Sequence, residues 1–313
     1  MASSAKRPWH MFYPLAGMIL ISIVWCGYWF VAFQATKELV AAKRLEFAGK
    51  GAQLTCAQEN WGGFPFRFEF RCQDPSLHIS AAGNNYRLKS AKLVVVAQAY
   101  NPLHNLLLVD GPTTLDLGMA GLQTVTHDQA LISVKLNTTG EFDISSEAAK
   151  VDAPDLFSAS QLRFFAKSTG TILDLAGNAD GLVVQSPKNS STSFSRIEFI
   201  VRTSAPLPGQ PFEIKVLNIS QGTVEFSAQG NIQLDPRHRL TGSLSSKTND
   251  IDRLMKIISP ILALNENDSI TVKNLVRLTG TDPATKMTRA EFVAHDGALY
   301  WGPLKLADLE PLY

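Results

Sequence analysis

One short segment, CAQENWGGFPFRFEFRC at Cys56 to Cys72, constrains the fold more than any other part of the chain. Its glycine pair and Pro65 favour a turn. After the turn, phenylalanines alternate with charged residues, and a period of two is typical of a half-buried strand. The segment therefore predicts a β-hairpin with Phe66, Phe68 and Phe70 on its apolar face.

The two cysteines that bound this segment predict a disulfide. A turn centred near Phe64 would place Cys56 directly opposite Cys72 in an antiparallel pair, at a separation that suits a disulfide. Closing this loop stabilises the fold by roughly 3 kcal/mol in the chain-entropy picture. The alternative is two reduced cysteines in the core. Because a disulfide requires an oxidising compartment, the pairing also bears on where the domain resides.

An apolar segment near the amino terminus predicts a membrane anchor at residues 11–33. No Asp, Glu, Lys or Arg occurs between Pro8 and Thr36. As a helix, Leu15 to Phe33 would extend about 28 Å, close to the ~30 Å hydrocarbon core of a bilayer. A cleaved signal peptide is the alternative, but Val31-Ala32-Phe33 offers no small-x-small cleavage site.

Charge alone does not orient this anchor, because basic residues occur on both sides of it. The predicted disulfide decides the topology. We expect residues 1–10 in the cytoplasm, residues 34–50 as a connecting helix, and residues 51–313 as a periplasmic domain. The chain would then be a single-pass inner-membrane protein whose bulk lies in the periplasm.

Residues 51–313 are dominated by alternating segments separated by turn signals such as Asp110-Gly111-Pro112. They predict a mainly β fold, a large antiparallel domain that is curved or sandwich-like and has few helices. We expect helices at 250–264 and 155–160 and a late strand at 269–280. The strand at 223–234 alternates most clearly, and its Gly230 predicts a bulge or bend.

Three motifs carry a family resemblance. They are the membrane helix followed by Gly-Phe-Pro-Phe-Arg-Phe-Glu between Cys56 and Cys72, the stretch from Ala97 to Pro102, and the ending Asp296-Gly297-x(4)-Gly302-Pro303. Together they resemble domain of unknown function 2125, a family of Gram-negative envelope proteins, over nearly the whole chain. The strands at 222–234 and the ending at 297–306 are more loosely similar to AsmA-like envelope proteins. The second resemblance implies an elongated β structure that handles phospholipid.

The sequence contains no motif that predicts a catalytic or metal-binding site. A net charge of +1 argues against nucleic acid as a partner, and three cysteines exclude a multi-cysteine zinc site. No His-Glu-x-x-His motif occurs, and Gly242-Ser243-Leu244-Ser245-Ser246 lacks the final glycine of a nucleophile elbow. We therefore expect no catalytic residue, metal or cofactor.

The leading hypothesis is a non-enzymatic, membrane-anchored protein that binds or handles phospholipid against one apolar face of its sheet. The candidate walls of this groove are Phe66, Phe68, Phe70, Val224, Phe226 and Ile232. The alternative is an interaction module with a dry core that docks another envelope protein. A periplasmic hydrolase is the third and least supported hypothesis.

Overall fold

A computed structural model of the protein describes residues 12–81, 84–116, 121–154, 156–185, 191–204, 211–258, 270–271, 273–274, 280–282, 285, 287–301 and 304–311. Within these residues the chain forms one antiparallel sheet of 18 strands and two named helices. The predicted fold class, a long amino-terminal helix followed by a mainly antiparallel β structure, is confirmed. The sheet does not close into a barrel.

The helices are α1 (Tyr13–Gly49) and α2 (Ile251–Ile258). The first nine strands are β1 (Ala52–Thr55), β2 (Gln58–Gly62), β3 (Arg67–Gln73), β4 (Ser76–Ala81), β5 (Asn84–Gln98), β6 (Asn101–Asp116), β7 (Leu122–Val125), β8 (Ala130–Leu136) and β9 (Phe142–Ala153). The others are β10 (Phe157–Thr169), β11 (Ile172–Gln185), β12 (Ser191–Ser204), β13 (Phe212–Gln221), β14 (Val224–Leu234), β15 (Leu240–Thr248), β16 (Thr288–His295), β17 (Ala298–Trp301) and β18 (Leu304–Asp308).

The sheet is a meander, in which strands pair with their neighbours along the sequence. At its start, β1 and β2 form one interrupted strand that pairs with β4 and β3 in a long hairpin. Both β3 and β4 then pair with β5. From β8 onward each strand pairs with the next, as far as β18. Antiparallel neighbours need only short connections, which explains why so few helices are required.

Helix α1 joins the predicted anchor to the predicted connecting helix without a break. Its 37 residues extend about 55 Å at 1.5 Å per residue. It contains an 18-residue window of mean hydropathy 2.0, which makes it long and apolar enough to cross a membrane. Residues 1–11 lie outside the described residues, so the structure describes the anchor from Phe12 onward.

The predicted disulfide is present, but the register of the predicted hairpin is wrong. Cys56 and Cys72 are bonded with a Cα–Cα distance of 5.4 Å, yet Cys72 pairs across the hairpin with Glu59. The turn lies later than predicted because Arg67 N donates to Gly63 O, and the last ladder pair is Gly62 with Glu69. Cys56 reaches Cys72 from the corner between β1 and β2.

Two predicted elements differ from the structure. Asp155 lies outside the described residues, and the rest of the helix expected at 155–160 is replaced by β10, which begins at Phe157. The strand expected at 269–280 is not observed where the chain is described, because residues 270–271 and 273–274 are helical. Pro154 suggested a helix start for the first segment, and a strand-like pattern suggested a strand for the second, but short apolar runs fit a helix or a strand. The helix expected at 250–264 is confirmed over Ile251–Ile258, and its remainder lies outside the described residues.

The irregularity predicted at Gly230 occurs in the partner strand. Gly230 pairs regularly with Leu244, whereas the register shift lies in β13 between Ile214 and Leu217. Glycine is required at 230 because an added Cβ would lie 2.1 Å from the backbone oxygen of Ser243. It therefore allows a close approach of two backbones.

Candidate functional site

One row of directly paired residues crosses the sheet from β3 to β16. It consists of Phe70, Val95, Leu107, Ile132, Ser146, Phe164, Gly177, Phe199, Leu217, Ala228, Ser246 and Ala290. Residues directly opposite each other in an antiparallel pair point to the same side of a sheet. The only hydroxyl side chains in the row are two serines. We call this side the apolar face.

At the β3 end, α1 fills the apolar face with aromatic rings. Phe68 and Phe70 are buried, and the rings of Trp29 and Phe33 lie 6.0 and 6.3 Å from the ring of Phe68. Trp29 also stacks on Phe33 at 4.6 Å and donates from Nε1 to Arg67 O. This end of the face is therefore a packed core.

Phe66 differs from its two predicted partners. It precedes β3, is 63% exposed, and its ring lies 6.1 Å from the ring of Trp25. The structure thus places Phe68 and Phe70 under α1 and Phe66 at the adjacent end of the strands.

At the other end, the apolar face and α2 enclose a cavity of about 680 Å³. Its walls come from β12 to β18 and from α2. Val224, Phe226 and Ile232 line it, so the structure brings these three predicted residues together. Other apolar lining residues are Ile214, Ile219, Leu240, Leu244, Leu254, Met255, Phe292, Leu299 and Leu306. Five of the six predicted wall residues therefore share one apolar face of one sheet, divided between its two ends, whereas Phe66 lies in the turn before β3.

Two hydroxyl groups on the cavity wall donate hydrogen bonds to backbone oxygens. Ser246 Oγ donates to Ala290 O at 3.0 Å, and Thr248 Oγ1 donates to Glu225 O at 2.8 Å. Both residues are buried. Since these donors are already paired, the surface that they present to the cavity is apolar. Such a wall suits hydrocarbon better than a polar ligand.

The cavity reaches the surface beside β18. Asp308 contributes to the lining although its side chain is 78% exposed. It is paired with Lys305, and the hydrogen bond from Lys305 to Asp308 raises the pKa of that amine. Asp308, the only charged residue among the described lining residues, is therefore neutralised by its partner.

A smaller cavity of about 460 Å³ lies between the two ends. It borders the apolar face from β8 to β12 and is lined by Ile132, Leu162, Phe164, Ile197 and Phe199 among others. Phe164 belongs to the cross-strand row and is still 41% exposed. The apolar face thus continues between α1 and α2 with accessible side chains.

Sequence reasoning missed the contribution of the last three strands to the cavity. Phe292, Leu299 and Leu306 line it, and α2 supplies Leu254 and Met255. The alternation in β16 was visible in the sequence, but no local signal pairs β16 with β15 across residues 249–287, which separate them. Among the described residues, no group of three His, Cys, Asp or Glu side chains could hold a metal ion.

Comparison with known proteins identifies a family that covers most of the chain. A family model described as "Uncharacterized protein conserved in bacteria", domain of unknown function 2125, matches residues 29–310. No curated protein and no solved structure matches the chain. The looser resemblance to AsmA-like proteins stays a prediction.

Proposed function

The chain belongs to the domain of unknown function 2125 family of bacterial proteins, and we propose that it is a membrane-anchored envelope protein that holds lipid acyl chains in the cavity beneath α2. The apolar cavity of about 680 Å³ is the observation that carries this proposal. Ligand sites in proteins commonly measure about 300–1,000 Å³.

The energetics favour hydrocarbon as the occupant. Each methylene group that leaves water contributes about 0.8 kcal/mol, and the paired hydroxyls of Ser246 and Thr248 impose no polar requirement on the ligand. An acyl chain buried along Val224, Phe226 and Ile232 would therefore bind through its length, without a specific polar contact.

The proposed location is the inner membrane, with the sheet in the periplasm. Helix α1 supports the anchor because it has the length and hydropathy of a span. The Cys56–Cys72 disulfide supports an oxidising compartment for the sheet. The family match supports a bacterial setting.

Photo-crosslinking tests the cavity directly. The full chain is reconstituted in vesicles that contain a phospholipid with a photoreactive group in its acyl chain, and crosslinked peptides are identified by mass spectrometry. We expect crosslinks to β14 and α2, in addition to those that α1 makes with any surrounding bilayer. Crosslinks confined to α1 would contradict the proposal and favour the interaction module.

Two matched substitutions in β14 complete this test. Phe226→Asp places a carboxylate on the cavity wall and should abolish crosslinking at β14 and α2, because burying an unpaired charge is costly. Ser227→Asp introduces the same group beside Lys247 and Asn218 on the opposite side of the strand, and it should leave crosslinking unchanged. Crosslinks at α1 and a cooperative melting transition confirm that both variants remain folded and inserted.

A further inference from the structure

Exposed aromatic side chains cluster at one end of the strands next to α1. Phe64 and Phe66 flank Pro65 in the β2–β3 turn, and Tyr100 occupies the β5–β6 turn. Their exposed fractions are 59%, 63% and 67%. The two turns are joined, because Ala99 N donates to Phe66 O at 2.9 Å. We call Phe64, Phe66 and Tyr100 the aromatic tip.

Side chains of α1 hold the aromatic tip against the helix. Trp25 Nε1 donates to Pro65 O at 2.9 Å, and Tyr28 Oη donates to Ala99 O at 3.0 Å. The ring of Phe64 meets the ring of Trp29 edge-on at 5.2 Å. Both turns are therefore fixed at the level of Trp25 to Trp29.

That level falls inside the apolar span. The part of α1 before Trp25, from Tyr13 to Val24, extends only about 18 Å, whereas a hydrocarbon core measures about 30 Å. The predicted span, residues 11–33, therefore includes the residues that contact the two turns. If α1 crosses a membrane, the turns lie beside the last part of the crossing.

Charge around the aromatic tip also fits a membrane surface. Lys37 lies one helical turn beyond Phe33 and places its amine 5.7 Å from that ring, and Arg67 is largely exposed directly after the turn. Cations beside an aromatic belt are typical of the headgroup level of a bilayer. Arg67 also pairs with Glu69, and Glu38 is the acidic neighbour of Lys37 on α1.

A neighbouring turn at the same end of the strands is polar. In the β8–β9 turn, Asn137 Oδ1 accepts hydrogen bonds from the backbone N–H groups of Thr139 and Glu141. The side-chain hydrogen bonds described for this turn stay within it or reach Gly170, and none of them joins it to α1. Exposed aromatic residues therefore occur in the two turns that contact α1, whereas the neighbouring β8–β9 turn is polar.

From these contacts we propose that the aromatic tip is inserted in the lipid bilayer, so that the β2–β3 and β5–β6 turns seat the sheet on the membrane surface. The inference rests on the proposed membrane anchoring by α1. It does not depend on whether the cavity beneath α2 holds lipid. The recognised surface is a bilayer interface, with aromatic rings below the headgroups and Lys37 and Arg67 among the phosphates.

Fluorescent labelling in vesicles tests this seating. Single cysteines that carry an environment-sensitive dye replace Phe66, Tyr100, Leu20 or Thr139 in a full chain with Cys26→Ser. The vesicles contain phosphatidylethanolamine and phosphatidylglycerol, and iodide is present on both sides as an aqueous quencher. Leu20 reports the span and Thr139 reports the polar turn. Each variant must first be shown to retain the Cys56–Cys72 disulfide.

We expect the dyes at positions 66 and 100 to be shielded from iodide and to emit at shorter wavelength, like the dye at position 20. The dye at position 139 should be fully quenched. If the dyes at positions 66 and 100 are quenched as strongly as the dye at 139 while the dye at 20 is shielded, the aromatic tip is not inserted in the bilayer. The membrane anchor would still stand. If the label at 20 is quenched as well, both the anchor and the seating are overturned. Crosslinking at β14 and α2 reports on the cavity separately.

Discussion

The two ends of the apolar face have the same alternating pattern but different contents. At the β3 end, α1 supplies Trp29 and Phe33, whose rings pack on Phe68 and leave a filled core. At the β14 end, α2 supplies Leu254 and Met255 over a cavity. The described part of α2, Ile251–Ile258, lines the cavity with these aliphatic side chains and has no aromatic residue. The covering helix, more than the strand pattern, decides whether an apolar face becomes core or cavity.

Removing one phenylalanine at each end gives the largest expected contrast. Phe68→Ala should destabilise the protein by about 3–5 kcal/mol because it empties a well-packed site. Phe226→Ala should cost about 1–2 kcal/mol, because its half-buried ring already borders empty volume. Denaturant unfolding of the detergent-solubilised chain measures both changes. Equal losses would show that the two ends are packed alike.

The disulfide should stabilise the β3 end of the sheet by nearly as much as the Phe68 side chain does. Replacing both Cys56 and Cys72 with alanine should lower the free energy of unfolding by about 3 kcal/mol, because the denatured chain loses its crosslink. Crosslinking of lipid at β14 should persist in the folded double variant. Cys26→Ala is the matched control, since this cysteine is exposed and unbonded. A double variant as stable as the control would contradict the prediction.

A charge pair on the opposite side of the sheet gives the smallest expected effect. Arg202 donates to Asp174 through Nε and Nη2 at 2.6 and 2.9 Å, and these bonds lower the pKa of the Asp174 carboxyl. Both side chains are more than a third exposed, so solvent screens the pair and it should contribute less to stability than the phenylalanines or the disulfide. Because the folded pKa lies below the unfolded one, this stability is present above about pH 4 and is lost as the pH falls through the folded pKa.

Acid titration of the unfolding free energy checks this last prediction. Arg202→Gln should remove that part of the acid sensitivity and leave lipid crosslinking at β14 unchanged. If Arg202→Gln changes lipid crosslinking, the charge pair on one side of the sheet influences lipid binding on the other side, contrary to this prediction.

Alternation in the sequence was sufficient to predict the fold class and the shared face of Val224, Phe226 and Ile232. It was not sufficient to predict register. Several adjacent positions in Gly-Gly-Phe-Pro-Phe can serve as the centre of a turn, and the observed one pairs Cys72 with Glu59. The disulfide was still predicted correctly, because the break between β1 and β2 brings Cys56 close to Cys72.

The alternation of odd and even positions along each strand could not predict that the six wall residues divide between the β3 end and the β14 end of the sheet. This alternation assigns Phe68 and Phe226 to the apolar sides of their strands, but it does not show which helix covers each one. That depends on α1 extending past its span to lie along β2 and β3, as the contact between Arg44 and Glu59 shows. Such packing depends on contacts between distant segments, which local patterns do not encode.

The nearest-neighbour order of the strands has a consequence for how the chain is made. Because strands pair with neighbours along the sequence, the sheet can grow one hairpin at a time, and little loop-closure entropy is lost at most steps. The pairing of β16 with β15, across residues 249–287, closes a longer loop. The amino-terminal hairpin can form first, beside the emerging end of α1, and each later strand adds to the edge left by the one before. A chain exported across a membrane from its amino terminus could therefore fold during passage, without waiting for its last strands.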